Sequence, residues 1–209
     1  MNLNNYYWYF QSVLSNKFCD ELIEYGKKHE EQVAYTGGLQ HKEKLSQKDI
    51  KFLRKKRKSN VVWLNDRWIY DEIHPFVHEA NRNAGWNFDW DWSESCQFTK
   101  YSKGQFYDWH CDSFEQPYNN PNNLNFHGKI RKLSVTCTLS DPKDYKGGEL
   151  QFDFRNKEPN KKTKIITCNE IKPKGSIVVF PSHVWHRVKK VTSGTRYSLV
   201  IWNIGYPFK

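Results

Sequence analysis

The second half of the chain limits the fold most. From Trp86 onward, short stretches rich in aromatic and β-branched residues follow one another, separated by clusters of Gly, Pro, Asn and Asp. This pattern predicts strands over Asn87–Trp92, Ser95–Tyr101, Gln105–Asp112, Ile130–Leu139, Gly148–Phe154, Lys164–Glu170, Ser176–Phe180, Val184–Val191 and Arg196–Ile204. Turn signals fall at Pro117–Gly128, Asp141–Gly147, Asn156–Lys162, Pro173–Gly175 and Ser193–Gly194. Many short strands at this spacing argue for a sandwich or a jelly roll.

The strand faces say where the core lies. In Arg131–Leu139, Leu133, Val135, Cys137 and Leu139 share one face, while Ser134, Thr136 and Thr138 share the other. The last strand repeats this, with Tyr197, Leu199 and Ile201 opposed to Arg196, Ser198, Val200 and Trp202. An apolar face needs a cover. The N-terminal part can supply it after a strand over Tyr6–Val13. Ser15 suits the cap of a helix carrying Phe18, Leu22, Ile23 and Tyr25 and ending near Gly26. Asn60–Leu64 reads as a strand. Asp66 suits the cap of a second helix carrying Trp68, Ile69, Ile73, Phe76, Val77 and Ala80, with a kink or break expected at Pro75. The expected fold is mainly β with packed helices: a double-stranded β-helix (jelly roll, cupin-like) whose N-terminal α-helices cover the major sheet. Residues 1–209 are expected to form one domain, with 1–85 as strand and helix support and 86–209 as the jelly-roll core. The polar strand faces then line its interior.

Composition narrows the chemistry. A chain of 209 residues suits one core. The five Cys are odd in number and include no CxxC pair, which argues against a disulfide framework or a Cys-rich zinc site. The start, MNLNNYYWYF, carries no signal-peptide pattern, and no apolar run is long enough to span a membrane. A soluble, cytoplasmic protein without a membrane partner is expected. The net charge is +10, densest in Lys51–Lys58 (KFLRKKRK). A basic soluble surface explains this most simply; a nucleic-acid partner is the alternative, but the run has few interleaved aromatics for base stacking.

Chemistry concentrates in Tyr101–Asp112, YSKGQFYDWHCD. On a strand, His110 and Asp112 point to one face and Cys111 to the other. One imidazole and one carboxylate are two thirds of a facial iron site. The second imidazole comes from FPSHVWHRV, where His186 is favoured and His183 competes. Arg196 follows His186 by ten residues, and its planar fork suits a carboxylate. Taken singly, the HxD pair, the His and the Arg each have ordinary structural explanations. Their order along a jelly-roll strand pattern is the specific signal.

With those residues in view, the chain resembles the 2-oxoglutarate- and Fe(II)-dependent dioxygenases of the prolyl 4-hydroxylase-like branch, most closely the PKHD-type hydroxylases. The matching stretches are QFTKYSKGQFYDWHCD (Gln97–Asp112), RKLSVTCTLSDPKDYKGGELQF (Arg131–Phe152) and KGSIVVFPSHVWHRVKKVTSGTRYSLVIW (Lys174–Trp202), and more loosely SNVVWLND (Ser59–Asp66). The resemblance implies that His110, Asp112 and His186 bind Fe(II), and that Arg196 binds the distal carboxylate of 2-oxoglutarate. It further implies that Tyr101, Leu150 and Trp202 line the pocket, and that Thr138 stands where some relatives place a second hydroxyl on that carboxylate. Strand parity places Tyr107 off the ligand face. The implied reaction consumes dioxygen and 2-oxoglutarate, with ascorbate as an accessory reductant. It releases succinate and carbon dioxide and hydroxylates a C–H bond, by resemblance that of a prolyl residue in a protein or peptide. Thr36–Gln47 and Phe114–Gly128 are candidate lids. The alternatives are a nucleic-acid oxidative demethylase of the same superfamily, whose second-arginine pattern GTRYSLVIWNI lacks, and a non-catalytic metal-binding jelly roll.

Overall fold

In the computed structural model, residues 5–34, 46, 55–113, 116–154 and 164–208 are described. The expected loop Tyr35–Gln47 apart from Ser46, the start of the basic run at Lys51–Arg54, Phe114–Glu115 of the second candidate lid, and the turn Asn156–Lys162 lie outside the described residues.

Helix α1 spans Asn16–Lys27, and the Ser15 side chain accepts the Phe18 N–H at its start. Helix α2 spans Arg67–Asn83 and runs on through Pro75, where a kink or break was expected. Pro75 removes one helical hydrogen bond. The buried stripe Ile69, Ile73, Val77 and Ala80 packs on the sheet and outweighs that loss. Asp66 stands at the N-cap position, but its side chain does not cap. Its Oδ1 accepts the Tyr25 hydroxyl at 2.9 Å instead, which ties the two helices together.

The strands are β1 Trp8–Phe10, β2 Gln32–Val33, β3 Arg57–Lys58, β4 Asn60–Leu64, β5 Trp92–Ser93, β6 Cys96–Ser102, β7 Phe106–His110, β8 Ile130–Thr138, β9 Tyr145–Gly147, β10 Leu150–Asp153, β11 Ile165–Thr167, β12 Ile177–Pro181, β13 Trp185–Val188 and β14 Val191–Gly205. Among the described residues they form two antiparallel sheets. The larger has the order β1-β12-β8-β14-β6-β4-β2, with β5 and β9 also paired to β14; the smaller has the order β11-β10-β13-β7-β3. This is the mainly β jelly roll that the strand spacing predicts.

The two strand faces divide as their sequences do. Leu133, Val135, Cys137, Leu139, Leu199 and Ile201 pack with the buried sides of α1 and α2 in one apolar cluster. A second cluster, including Tyr101, Leu150, Phe152, Val178, Phe180 and Val188, draws on strands of both sheets.

Two elements differ from expectation. Asn87–Trp92 is not a strand; only Trp92 and Ser93 pair, with β14. The Asn81 side chain bonds both the N–H and the carbonyl of Phe88, taking groups a ladder would need. Ser193–Gly194 is not a turn between strands: both residues lie within β14 and pair with Lys146 and Tyr145 of β9, while β6 pairs from Thr195 and β8 from Ser198 onward. Gly194 has φ +70°, and a Cβ there would lie 1.9 Å from the Asp144 carbonyl oxygen, so only glycine fits. Arg196 follows two residues later.

Candidate active site

Strands β7 and β13 pair with His110 directly opposite His186, and the two ring centres are 4.1 Å apart. Asp112 lies just past the end of β7. Its N–H and that of Ser113 both donate to the Ser182 carbonyl, at 2.8 and 2.9 Å, which fixes the chain at the carboxylate. His110 Nε2 is 3.7 Å from Asp112 Oδ1, and His186 Nε2 is 3.6 Å from Oδ2. The three donor atoms lie within 4.8 Å of one another. His183 is exposed before β13 and does not join them.

Both imidazoles are set to accept at Nε2. His110 Nδ1 is 2.7 Å from the Asp108 carbonyl and His186 Nδ1 is 3.0 Å from the Val184 carbonyl. A carbonyl only accepts, so Nδ1 carries the proton and Nε2 keeps its lone pair. Burial, and then the neighbouring His186, hold the His110 pKa well below its ordinary value. Burial pushes the Asp112 carboxyl up, but His186, His110, Arg131 and a hydrogen bond from Ser134 together outweigh it and bring it down to about 2. The Ser134 hydroxyl donates to Asp112 Oδ2 at 2.7 Å and lies 2.9 Å from the Ser182 hydroxyl. Two imidazoles whose Nδ1 atoms face carbonyls and one carboxylate that accepts from Ser134, each oriented by a second hydrogen bond, suit a divalent cation in an open octahedral site.

Tyr107 lies on the ligand side, contrary to simple parity. Its ring stacks on His110 with centres 3.5 Å apart and planes at 11°. The register explains this: His110 faces His186, but Tyr107 faces Val188. Three steps on β7 match two on β13, and this bulge reverses the parity.

Arg196 is 2% exposed, and Nη1 donates to the Ser198 hydroxyl at 3.1 Å. Among the described residues no carboxylate pairs with it. A buried cation without an anion is costly, so this position is suited to an anionic ligand. Arg196, Thr138 and Leu150 line one cavity of about 400 Å³ with Tyr145, Gly148 and Cys168. Tyr101 lies beside it, its ring centre 5.7 Å from the Arg196 guanidinium. Trp202 is not in that lining. It lies across β14–β8 from Ser134, with the Arg131 guanidinium 3.9 Å from its ring centre and Trp63 at 6.1 Å. Its indole N–H is buried without a hydrogen-bond partner among the described residues.

Ser134, Ser182, Tyr107, Arg57 and the Arg131–Glu94 pair also belong to this neighbourhood and were not anticipated as site residues. The polar alternation of β8 was the available signal for Ser134. Arg57 was hidden in a charge run.

A jelly roll that gathers two histidines and an aspartate on neighbouring strands, with a buried arginine on the facing sheet, defines a metal-dependent oxygenase scaffold. The chain belongs to the 2OG-Fe(II) oxygenase superfamily, whose model matches residues 96–203. PKHD-type hydroxylases of Prochlorococcus marinus and of Synechococcus sp. strain CC9605 are 36% identical over 109 residues and 37% identical over 105. These matches cover 52% and 50% of this chain but 41% and 39% of the relatives, so the chain aligns with about two fifths of their length. Among solved structures, the viral collagen prolyl hydroxylase of Paramecium Bursaria Chlorella virus-1 superposes with a TM-score of 0.62 at 21% identity, covering 97% of each chain. A Pseudomonas putida prolyl-4-hydroxylase gives 0.64 at 17%, covering 96% of this chain and 93% of that one. These likenesses show the fold. The superfamily implies Fe(II) and 2-oxoglutarate, and the donor set fits the metal. Among the described residues no helix is long and apolar enough to cross a membrane.

Proposed function

We propose that residues 1–209 act as one Fe(II)- and 2-oxoglutarate-dependent dioxygenase domain that hydroxylates a C–H bond of a peptidyl prolyl residue. The observation that carries this reading is the convergence of His110, Asp112 and His186 donor atoms, with Arg196 buried and unpaired by any described carboxylate. When bound, Fe(II) and 2-oxoglutarate would supply oxidative decarboxylation to succinate and carbon dioxide and transfer of one oxygen atom to the substrate.

The protein's part is placement. His110, Asp112 and His186 hold the metal. The Asp108 and Val184 carbonyls and the Ser134 hydroxyl orient those three side chains, the carbonyls placing a proton on each Nδ1. Arg196 takes the distal carboxylate of the co-substrate, Thr138 offers a hydroxyl, and Leu150 and Tyr101 close the cavity against water. The prolyl substrate is supported by the relatives, which include a Trichoplax adhaerens prolyl hydroxylase solved with a hypoxia inducible factor peptide fragment. Ascorbate would serve as the accessory reductant.

The test is turnover with Fe(II) and 2-oxoglutarate against proline-containing peptides, free amino acids and nucleic acids. Succinate release with a mass gain of one oxygen on a peptide is expected. Oxygen gain or demethylation only on nucleic acid would move the protein to the demethylase reading. No succinate with any probe would leave only a metal-binding role.

A further inference from the structure

Two buried guanidinium groups, Arg57 and Arg196, have no carboxylate partner among the described residues. On the reading proposed above, the co-substrate accounts for Arg196. Arg131 is not a third case, because Glu94 holds it in two bonds of 2.6 Å. Arg57, on β3, is 6% exposed. Its Nε donates to the Ser59 hydroxyl at 2.8 Å, while Nη2 is buried and has no hydrogen-bond partner among the described residues. Its guanidinium lies 4.4 Å from the centre of the Tyr107 ring, which itself stacks on His110. A buried cation held only by a neutral hydroxyl and an aromatic face is incomplete. What completes it is a planar anion that matches the guanidinium fork.

We propose that Arg57 is a substrate-binding residue that takes a carboxylate of the prime substrate beside the iron ligands. The assignment rests on the dioxygenase reading. A net charge of +10, with Lys55 exposed shortly before β3, Lys58 exposed on it, and Lys189 and Lys190 exposed just after β13, favours the approach of an acidic substrate. The carboxylate can be an acidic side chain near the target proline or a free C-terminus.

The experiment loads the chain with Mn(II) and 2-oxoglutarate under nitrogen and titrates labelled proline peptides in matched pairs: Glu against Gln beside the proline, and free against amidated C-terminus. A single-stranded oligonucleotide is the phosphate probe. At least one carboxylate-bearing peptide is expected to bind about tenfold or more tightly than its neutral twin. That gap should close in Arg57→Gln and persist in part in Arg57→Lys, with the Mn(II) and 2-oxoglutarate affinities of both variants unchanged. The pair that shows the gap identifies the source of the carboxylate. Equal affinity, or none, within every pair overturns the proposal. So does tighter binding of the oligonucleotide, or an Arg57→Gln defect confined to 2-oxoglutarate or metal binding. If Arg57→Gln does not fold, the wild-type pairs still decide. Failure of the preferred peptide to release succinate with Fe(II) in air would count against the hydroxylase reading, while the binding gap would still support Arg57.

Discussion

Replacing Ser134 by alanine removes one hydroxyl from behind the metal site and nothing from the site itself. Ser134 is 0% exposed, donates to Asp112 Oδ2 at 2.7 Å and lies 2.9 Å from the Ser182 hydroxyl. Without it, the buried carboxylate loses a donor and Ser182 loses an acceptor. A hydrogen bond to a charged group contributes about 1.5–3 kcal/mol. At about 1.4 kcal/mol per tenfold change, metal affinity should fall roughly 10- to 100-fold, the range usual for an outer partner of a metal ligand. The two backbone bonds from Asp112 and Ser113 to the Ser182 carbonyl remain, so the carboxylate keeps its place. Weaker affinity with unchanged stoichiometry is therefore expected. Calorimetric titration of Mn(II) into wild type and Ser134→Ala, with a thermal melt of each, reads this directly. An affinity within about twofold of wild type in a folded variant would mean that the hydroxyl does not tune the ligand.

Arg196→Lys keeps the charge but loses the planar fork, so the KM for 2-oxoglutarate should rise about tenfold or more in a steady-state assay, with metal affinity unchanged. Gly194→Ala would place a methyl 1.9 Å from the Asp144 carbonyl oxygen at φ +70°. The cost should be about 3 kcal/mol or more, seen by calorimetry as a Tm lower by roughly 6–12 °C. The Asp112 carboxyl sits at about 2 in the folded chain, below its ordinary value near 4. A depressed carboxylate pKa contributes stability above the unfolded value, and that contribution is lost as pH falls through the folded one. The metal-free Tm should therefore drop between about pH 4 and 2, and Asp112→Asn should flatten that part of the curve.

Periodicity carried most of the fold into view. Leu133, Val135, Cys137 and Leu139 do pack beneath the helices, and Ser134, Thr136 and Thr138 do face the other way. That follows from a strict period of two in regular strands. Legibility failed where the strands are irregular. The β7–β13 bulge brought Tyr107 onto His110, and no residue type in YSKGQFYDWHCD signals an inserted step. The Ser193–Gly194 pair signals a turn by residue type, but the left-handed backbone that Gly194 adopts is held inside a paired strand. Pro75 signals a kink or break when propensity is weighed without the tertiary packing of α2, and that packing carries the helix through without a break. The metal-ligand candidates were readable because HxD keeps its two donors together on either side of a strand end. Arg57 was not, because a charge run gives no sign of which member points inward.

Metal stoichiometry tests the central claim most directly. Anaerobic titration of Fe(II) into the chain and into His110→Ala, Asp112→Ala and His186→Ala separates a built site from adventitious binding. Wild type should take one ion per chain, with 2-oxoglutarate binding only once the ion is present, and each variant should lose most of that binding while remaining folded. Equal uptake by folded wild type and variants, or none by wild type, would contradict it.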